Sequence, residues 1–189
     1  MTLERVLDFA HNLLKTTLKQ GDVAIDATCG NGHDTLLLSK LVGGDGHIYS
    51  FDIQEKAIDT TRKRLDDSGV TNTTLIHDSH DQISNYLPKE HFSGLKGAIF
   101  NLGYLPGSDK NIITKPNTTI EALDQLLTFI QPGGIVVLVV YHGHHGGKTE
   151  KDALIEYVTG LDQQGWHVLQ YNFINQKNDP PFVIAIEKS

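Results

Sequence analysis

The chain is short of several things, and each shortage removes a class of protein. It has one cysteine, Cys29, so no intramolecular disulfide can hold it together and packing must do so. It has no run of about 18 apolar residues and no amino-terminal pattern of charged, then apolar, then small residues. Neither a membrane span nor an export signal is therefore expected, and a soluble cytoplasmic protein is. Positive charge is scarce: 16 Lys and Arg stand against 23 Asp and Glu, a net charge of -7 with ten histidines neutral. That balance excludes a general attraction to a phosphate backbone, and a polyanionic partner would need a local basic patch. Basic residues do gather, as Lys15 with Lys19, Lys56 with Arg62, Lys63 and Arg64, and Lys110 with Lys115, although such groups are ordinarily solvated faces. Repeats, low-complexity tracts and linkers are absent. With 189 residues, 39% of them hydrophobic, one domain spanning 1–189 is expected.

The apolar residues that are present follow two periods. Leu3, Val6, Leu7, Ala10, Leu13, Leu14 and Leu18 recur at helical spacing over 3–19, and Gly21 stops the pattern. Short, often β-branched runs at 23–27, 47–51, 73–77, 97–100 and 135–141 predict buried strands. Between them 35–41, 55–67, 118–130 and 149–163 carry helical spacing. Runs at 167–174 and 182–187 predict a closing hairpin. The expected fold is α/β, a doubly wound, mostly parallel sheet of seven strands with an amino-terminal helix and an antiparallel carboxy-terminal hairpin.

The first strand runs into Asp26-Ala27-Thr28-Cys29-Gly30-Asn31-Gly32, and His33-Asp34-Thr35 opens the next helix. Gly30 and Gly32 permit close backbone approach at a helix N-terminus. The second strand ends at Asp52-Ile53-Gln54, with Asp52 twenty residues beyond Gly32, where a carboxylate can accept hydrogen bonds from two ribose hydroxyls. The loop lacks both the G-x-G-x-x-G pattern and a P-loop lysine, and it carries Asp26, which would repel a pyrophosphate. A ligand with an ammonium and a sulfonium, S-adenosylmethionine, suits it better. Asp26, Gly30, Asn31, Gly32, Asp34, Asp52 and Gln54 are the candidate cofactor residues. Asp78-Ser79-His80, at the end of the third strand, either flanks the adenine or caps the following helix. Cys29 is expected to pack beside the cofactor rather than act as a nucleophile.

Asn101-Leu102-Gly103-Tyr104-Leu105-Pro106-Gly107 follows the fourth strand at the sheet edge where ligands bind in open α/β folds. An amine is methylated only with its lone pair free and aimed in line at the methyl carbon. The Asn101 side-chain oxygen and the Leu102 carbonyl could take its two N–H groups, with Tyr104 packed on an aromatic substrate; a plain Gly-Pro turn is the other reading. The fifth strand ends in Tyr141-His142-Gly143-His144-His145-Gly146-Gly147. This loop reads either as a substrate loop, with Tyr141 and His144 binding and His142 taking a proton, or as a polar turn. No second cluster supplies metal ligands.

In these three loops, and in the extensions His33-Asp34-Thr35 and Ser108-Asp109-Lys110, the sequence resembles the YtqB-type (MnmM) methyltransferases of Gram-positive bacteria, a family formerly described as rRNA methylases. The resemblance covers essentially the whole chain. It implies a Rossmann-like class I methyltransferase fold and S-adenosylmethionine as donor. The implied substrate is the primary amine of 5-aminomethyl-2-thiouridine at the tRNA wobble position, converted to the 5-methylaminomethyl form. It also implies that Asn31, Asp52, Gln54 and His80 belong to the cofactor site, and that Asn101, Tyr104, Tyr141 and His142 face the modified uridine. Lys110, Lys115 and Lys148 flank the substrate motifs and are the expected phosphate contacts for an anticodon arm, and a homodimer could widen that surface. A fold-mate acting on a small-molecule amine or hydroxyl, an NAD enzyme, and a non-catalytic nucleotide-binding module remain the alternatives.

Overall fold

The computed structural model describes residues 2–105, 107 and 112–189. The strands are β1 Val23–Asp26, β2 His47–Asp52, β3 Thr73–His77, β4 Leu95–Leu102, β5 Ile135–Val140, β6 Trp166–Tyr171 and β7 Phe182–Lys188. The helices are α1 Val6–Thr17, α2 His33–Val42, α3 Glu55–Asp67, the single turns α4 Ile83–Tyr86 and α5 Lys89–Phe92, α6 Pro116–Phe129 and α7 Gly147–Thr159. The strands form one seven-stranded sheet in the order β3-β2-β1-β4-β5-β7-β6. β1 pairs in parallel with β2 and β4, β2 with β3, and β4 with β5, whereas β7 runs antiparallel to both β5 and β6. This is the expected doubly wound sheet with its antiparallel end.

Packing decides the order of the last two strands. Residues 182–186 of β7 are apolar and buried throughout, so β7 enters the sheet beside β5. β6 is exposed along its middle and takes the edge. The hairpin is therefore inserted second arm first. On one face Ala10 and Leu14 of α1 and Leu38 and Val42 of α2 pack on Ala24, Ile48, Ile99, Val137 and Val139, while α3 lies over β2 and β3 and against α2. On the other face Ala122, Leu123 and Leu126 of α6 and Leu154 and Val158 of α7 cover Phe100, Leu102, Val136 and Leu138.

Three boundaries differ from the periodicity and matter for the site. α1 begins at Val6, because residues 2–5 are exposed and Arg5 offers no side-chain cap. β4 extends from Leu95 to Leu102, so Asn101 and Leu102 sit in the sheet opposite Val139 and Val140 rather than in the loop after it. α7 begins at Gly147, which moves Lys148 from the histidine loop into a helix. The segment 80–92, which carries no readable period in the sequence, is structured. It consists of a 3-10 turn, His80–Gln82, followed by α4 and α5, pieces too short for a 3.6-residue period to register.

β1 connects through α2 to β2 on one side and pairs with β4 on the other. The crevice at the carboxyl ends of β1 and β4 is thus the topological switch point where ligands bind in such sheets. Among the described residues no helix is long and apolar enough to cross a membrane. Leu14, fully buried on α1, tests whether that helix belongs to the core. Leu14→Ala should lower unfolding free energy by about 2–5 kcal/mol in urea titrations, and a loss below about 0.5 kcal/mol would make α1 a surface appendage.

Candidate active site

The glycine loop is shaped by the elements behind it. Gly32, the N-cap of α2, has φ 77°, and a Cβ there would stand 3.0 Å from the Thr61 Cα, so both backbone and space demand glycine. The Gly30 amide donates to Asp52 Oδ2 at 3.0 Å, and the Cys29 amide to the Phe51 carbonyl at 2.8 Å. From α3, Thr61 Oγ1 donates to the Gly30 carbonyl at 3.2 Å and Arg64 Nε to the Asn31 carbonyl at 2.6 Å. Arg64 is therefore a clamp on the loop, a role its place in a run of basic residues did not suggest.

The acids divide into two kinds. Asp26 is fully buried, accepting from the Thr28 amide and the Thr35 hydroxyl. Burial, then the neighbouring Asp34 carboxylate, pushes its carboxyl up to about 8. Asp26, expected to face a cationic ligand, is enclosed behind the loop with both carboxyl oxygens engaged, and desolvation disfavours its charge. Asp52 is less enclosed. It receives the amides of Gly30 and Gln54 at 3.0 and 2.9 Å, one on each oxygen, which leaves lone pairs for hydroxyl donors; burial raises its carboxyl. Asp78 accepts from the Ser79 amide and the Tyr86 hydroxyl, both at 2.8 Å, and Tyr86 stands edge-on to Phe51. Ser79, not Asp78, occupies the N-cap of the 3-10 turn.

His80 Nδ1 donates to the Ala27 carbonyl at 3.1 Å, and burial pushes its pKa down. The ring is neutral, so Nε2 is a lone-pair acceptor, buried and without a partner. An orphaned acceptor and a carboxylate with spare lone pairs fit an adenosyl group with hydroxyl and amino donors. Acceptors and a carboxylate at these positions suit a pyrophosphate less well, since like charges repel. The Cys29 thiol is buried and raised by that burial; it packs and does not act as a nucleophile.

Beside this cradle Asn101 is fastened twice: its amide donates to Thr28 Oγ1 at 2.7 Å, and its Nδ2 to Asp34 Oδ2 at 2.6 Å. The Leu102 carbonyl, expected to hold an amine, accepts the Tyr141 amide at 2.9 Å, because β4 and β5 remain paired to this point. Gly103 has φ 152° and lies against Tyr141, whose Cβ would stand 3.2 Å from a Cβ at Gly103. The two substrate motifs therefore touch. The Gly103 amide donates to Thr114 Oγ1, which donates to Glu150 Oε2 at 2.7 Å; Thr119 Oγ1 donates to Glu150 Oε1 at 3.0 Å. Glu150 is a buried anchor for this loop, its carboxyl raised by burial, and nothing in the linear pattern marks it.

Tyr104 and Tyr141 are each 39% exposed, and Tyr104 meets the edge of His144. Burial, then Asp34, raises the Tyr141 hydroxyl, so it is no base. His144 Nδ1 donates to the His145 carbonyl, and its Nε2 is buried without a partner. His142 is turned elsewhere: Nε2 donates to the Pro180 carbonyl at 3.1 Å and Nδ1 faces Asp179 at 3.9 Å. Lys115 and Lys148 are exposed, and Lys110 lies outside the described residues. Among the described residues no group of three or more His, Cys, Asp or Glu could hold a metal.

A family model described as "Putative rRNA methylase" matches residues 48–187. The chain belongs to this family. A chloroplastic tRNA (mnm5s2U34)-methyltransferase of Arabidopsis thaliana is 34% identical over 98% of this chain and 70% of its own length. A crystal structure described as a "putative rRNA-methylase" from Clostridium thermocellum superposes with a TM-score of 0.96 at 42% identity over 100% of both chains. A Streptococcus mutans protein described as "a putative methyltransferase" in complex with SAH does so with a TM-score of 0.90 at 40% identity, again over 100% of both. The model of protein-L-isoaspartate O-methyltransferases matches residues 4–88, the half that holds the glycine loop and Asp52. The chain is an S-adenosylmethionine-dependent methyltransferase with the class I fold.

The buried acid generates a pH dependence. Since the folded carboxyl of Asp26 titrates near 8 and the unfolded one near 3.8, the folded state binds the extra proton between these values and stability falls as pH rises through that window. Asp26→Asn mimics the protonated acid, donating to Thr35 and accepting from Thr28. It should flatten this fall in denaturant titrations between pH 4 and 8 (about the window above), and an unchanged slope would mean Asp26 is ionised in the fold.

Proposed function

We propose that the chain, working as one domain over 1–189, methylates the primary amine of 5-aminomethyl-2-thiouridine at the tRNA wobble position in the cytoplasm. The observation that carries this reading is the fastening of Asn101. A carboxylate only accepts, so the amide group facing Asp34 must be Nδ2, and Oδ1 is left on the opposite side as an acceptor for an amine N–H. The name of the Arabidopsis relative supplies the substrate class. Asp52, Gly30, Asn31, Gly32, Gln54, Asp78, Ser79 and His80 would hold S-adenosylmethionine, which when bound supplies an electrophilic methyl on a sulfonium.

In this reading Asn101 Oδ1 takes one N–H of the amine, and the unpartnered His144 Nε2, beside Gly103, takes the other in place of the Leu102 carbonyl. The nitrogen lone pair would then be left free for the methyl that bound S-adenosylmethionine would supply, the carbon–sulfur electron pair leaving with sulfur. The resulting secondary ammonium sheds a proton to His144 or solvent. Tyr104 and Tyr141 provide flat walls for the thiouracil ring. Lys115 and Lys148 contact phosphates, and two copies of the chain associate to widen that basic surface.

Asn101→Ala should lower kcat by roughly 100-fold or more, about 2–4 kcal/mol, with S-adenosylmethionine affinity by calorimetry nearly unchanged. The assay is mass spectrometry of wobble nucleosides from tRNA carrying the primary amine; full turnover by the variant would remove Asn101 from the chemistry. Because His142 is engaged by the loop at Pro180, His142→Ala should leave the pH–rate profile in place, and loss of its acidic limb would make His142 the base. Replacing Lys115 and Lys148 with Ala should reduce the salt slope of tRNA binding by about 1–2. An unchanged slope would point to a smaller amine substrate.

A further inference from the structure

We infer that His11, on the amino-terminal helix, and Asp34 are positioning residues that set which end of the Asn101 amide faces the substrate. The inference rests on the proposed role of Asn101 and deepens it. Asp34 sits in the first turn of α2 and is nearly buried; His11 reaches it from α1 across the sheet face. His11 Nε2 donates to Asp34 Oδ1 at 2.7 Å, and Asn101 Nδ2 donates to Asp34 Oδ2 at 2.6 Å. The two carboxylate oxygens thus join a donor from α1 to a donor from β4.

The bond polarity follows from the partners: each Asp34 oxygen acts as acceptor, one toward the amino end of Asn101 and one toward His11 Nε2. Without Asp34 the amide of Asn101 could rotate by a half-turn at little cost, presenting a donor to the amine in place of an acceptor and meeting its N–H groups with like polarity. His11 fixes the other carboxylate oxygen, so Asp34 cannot rotate its plane away from Asn101. The backbone bond from Asn101 to Thr28 holds the Cα, and the side-chain chain holds the amide plane. Charge-assisted bonds of this length are the stronger kind, and holding a reacting group within a fraction of an ångström requires such support behind it.

The bond polarity can be exchanged without changing net charge, and this gives the test. In Asp34→Asn the new amide can meet Asn101 with either end, so orientation is lost. In Asn101→Asp two carboxylates face each other. In the double variant the amide introduced by Asp34→Asn accepts from His11 through its oxygen and donates through its nitrogen to the carboxylate introduced by Asn101→Asp, which keeps an acceptor toward the amine. Each single variant should lose about tenfold or more in kcat on tRNA bearing the primary amine, with KM for S-adenosylmethionine changed less than about threefold. The exchange should recover about fivefold or more over the product of the single effects. His11→Ala should lower kcat in the same way, and His11→Gln, which keeps a donor, should recover part of it.

A second readout does not depend on the substrate: the Asn101 side-chain amide protons by NMR of the folded enzyme. In the wild type one should be shifted downfield by the carboxylate, and His11→Ala and Asp34→Asn should each move it back, folding being checked in the same spectra. An Asn101 resonance indifferent to both changes would overturn the inference, as would additive losses in the exchange. Wild-type enzyme inactive on the amine but showing the NMR coupling would instead overturn the proposed substrate and leave the positioning chain standing.

Discussion

The hydrogen bond from the Asn101 amide to the Thr28 hydroxyl joins the two halves of this molecule. Thr28 belongs to the glycine loop after β1, and Asn101 ends the strand that pairs with β1 on the other side of the switch point. Because β1 and β4 are neighbours only through the reversal of strand order, the loop that cradles a nucleoside and the strand end that presents Asn101 converge in one crevice. Behind that bond, Asp26 and Asp34 lie within electrostatic reach of each other. Burial raises the carboxyl of the first, and the second is held by two partners, His11 and Asn101, so burial and pairing sort two neighbouring acids into a structural and a polar role.

Other parts of the crevice are likewise held from behind by residues of other elements. Gly103 hangs on Thr114 and through it on Glu150 of α7; the glycine loop hangs on Thr61 and Arg64 of α3; Asp78 is fixed by Tyr86 of α4. Among the described residues, four buried side-chain atoms lack a partner, the hydroxyls of Ser50 and Thr73 in the sheet and two ring nitrogens, His80 Nε2 and His144 Nε2, the last two lying one near each half of the crevice. A ligand with donors at both ends, a nucleoside on one side and an amine on the other, would satisfy them, whereas buried acceptors without partners are costly in its absence.

Much of this was legible in the chain itself. Glycine spacing, the acid at Asp52 and the alternation of short apolar runs with amphipathic helices were enough for the doubly wound sheet and a nucleoside-type cofactor, since these are short-range consequences of backbone sterics and burial period. The loops at 101–107 and 141–147 stood out because glycine, asparagine and histidine at strand ends have few structural reasons to cluster. The assignments that changed did so because a linear pattern carries no partners. Asp26 read as a carboxylate facing a cationic ligand, and the fold instead encloses it and disfavours its charge. The Leu102 carbonyl looked open until β5 was seen to pair with it, and His142 looked poised until the loop at Pro180 took its ring.

The sequence by itself therefore determined the periodicities, the loop that only glycine can close and the chemical types at the strand ends, because each follows from neighbours along the chain. Which acid is charged, which end of the Asn101 amide faces outward, and that His11, Glu150 and Tyr86 belong to the site were decided only by the tertiary structure. Protonation, hydrogen-bond polarity and support all depend on what stands within about 3 Å, and those neighbours are far apart in sequence: His11 and Asp34 by 23 residues, Asp34 and Asn101 by 67.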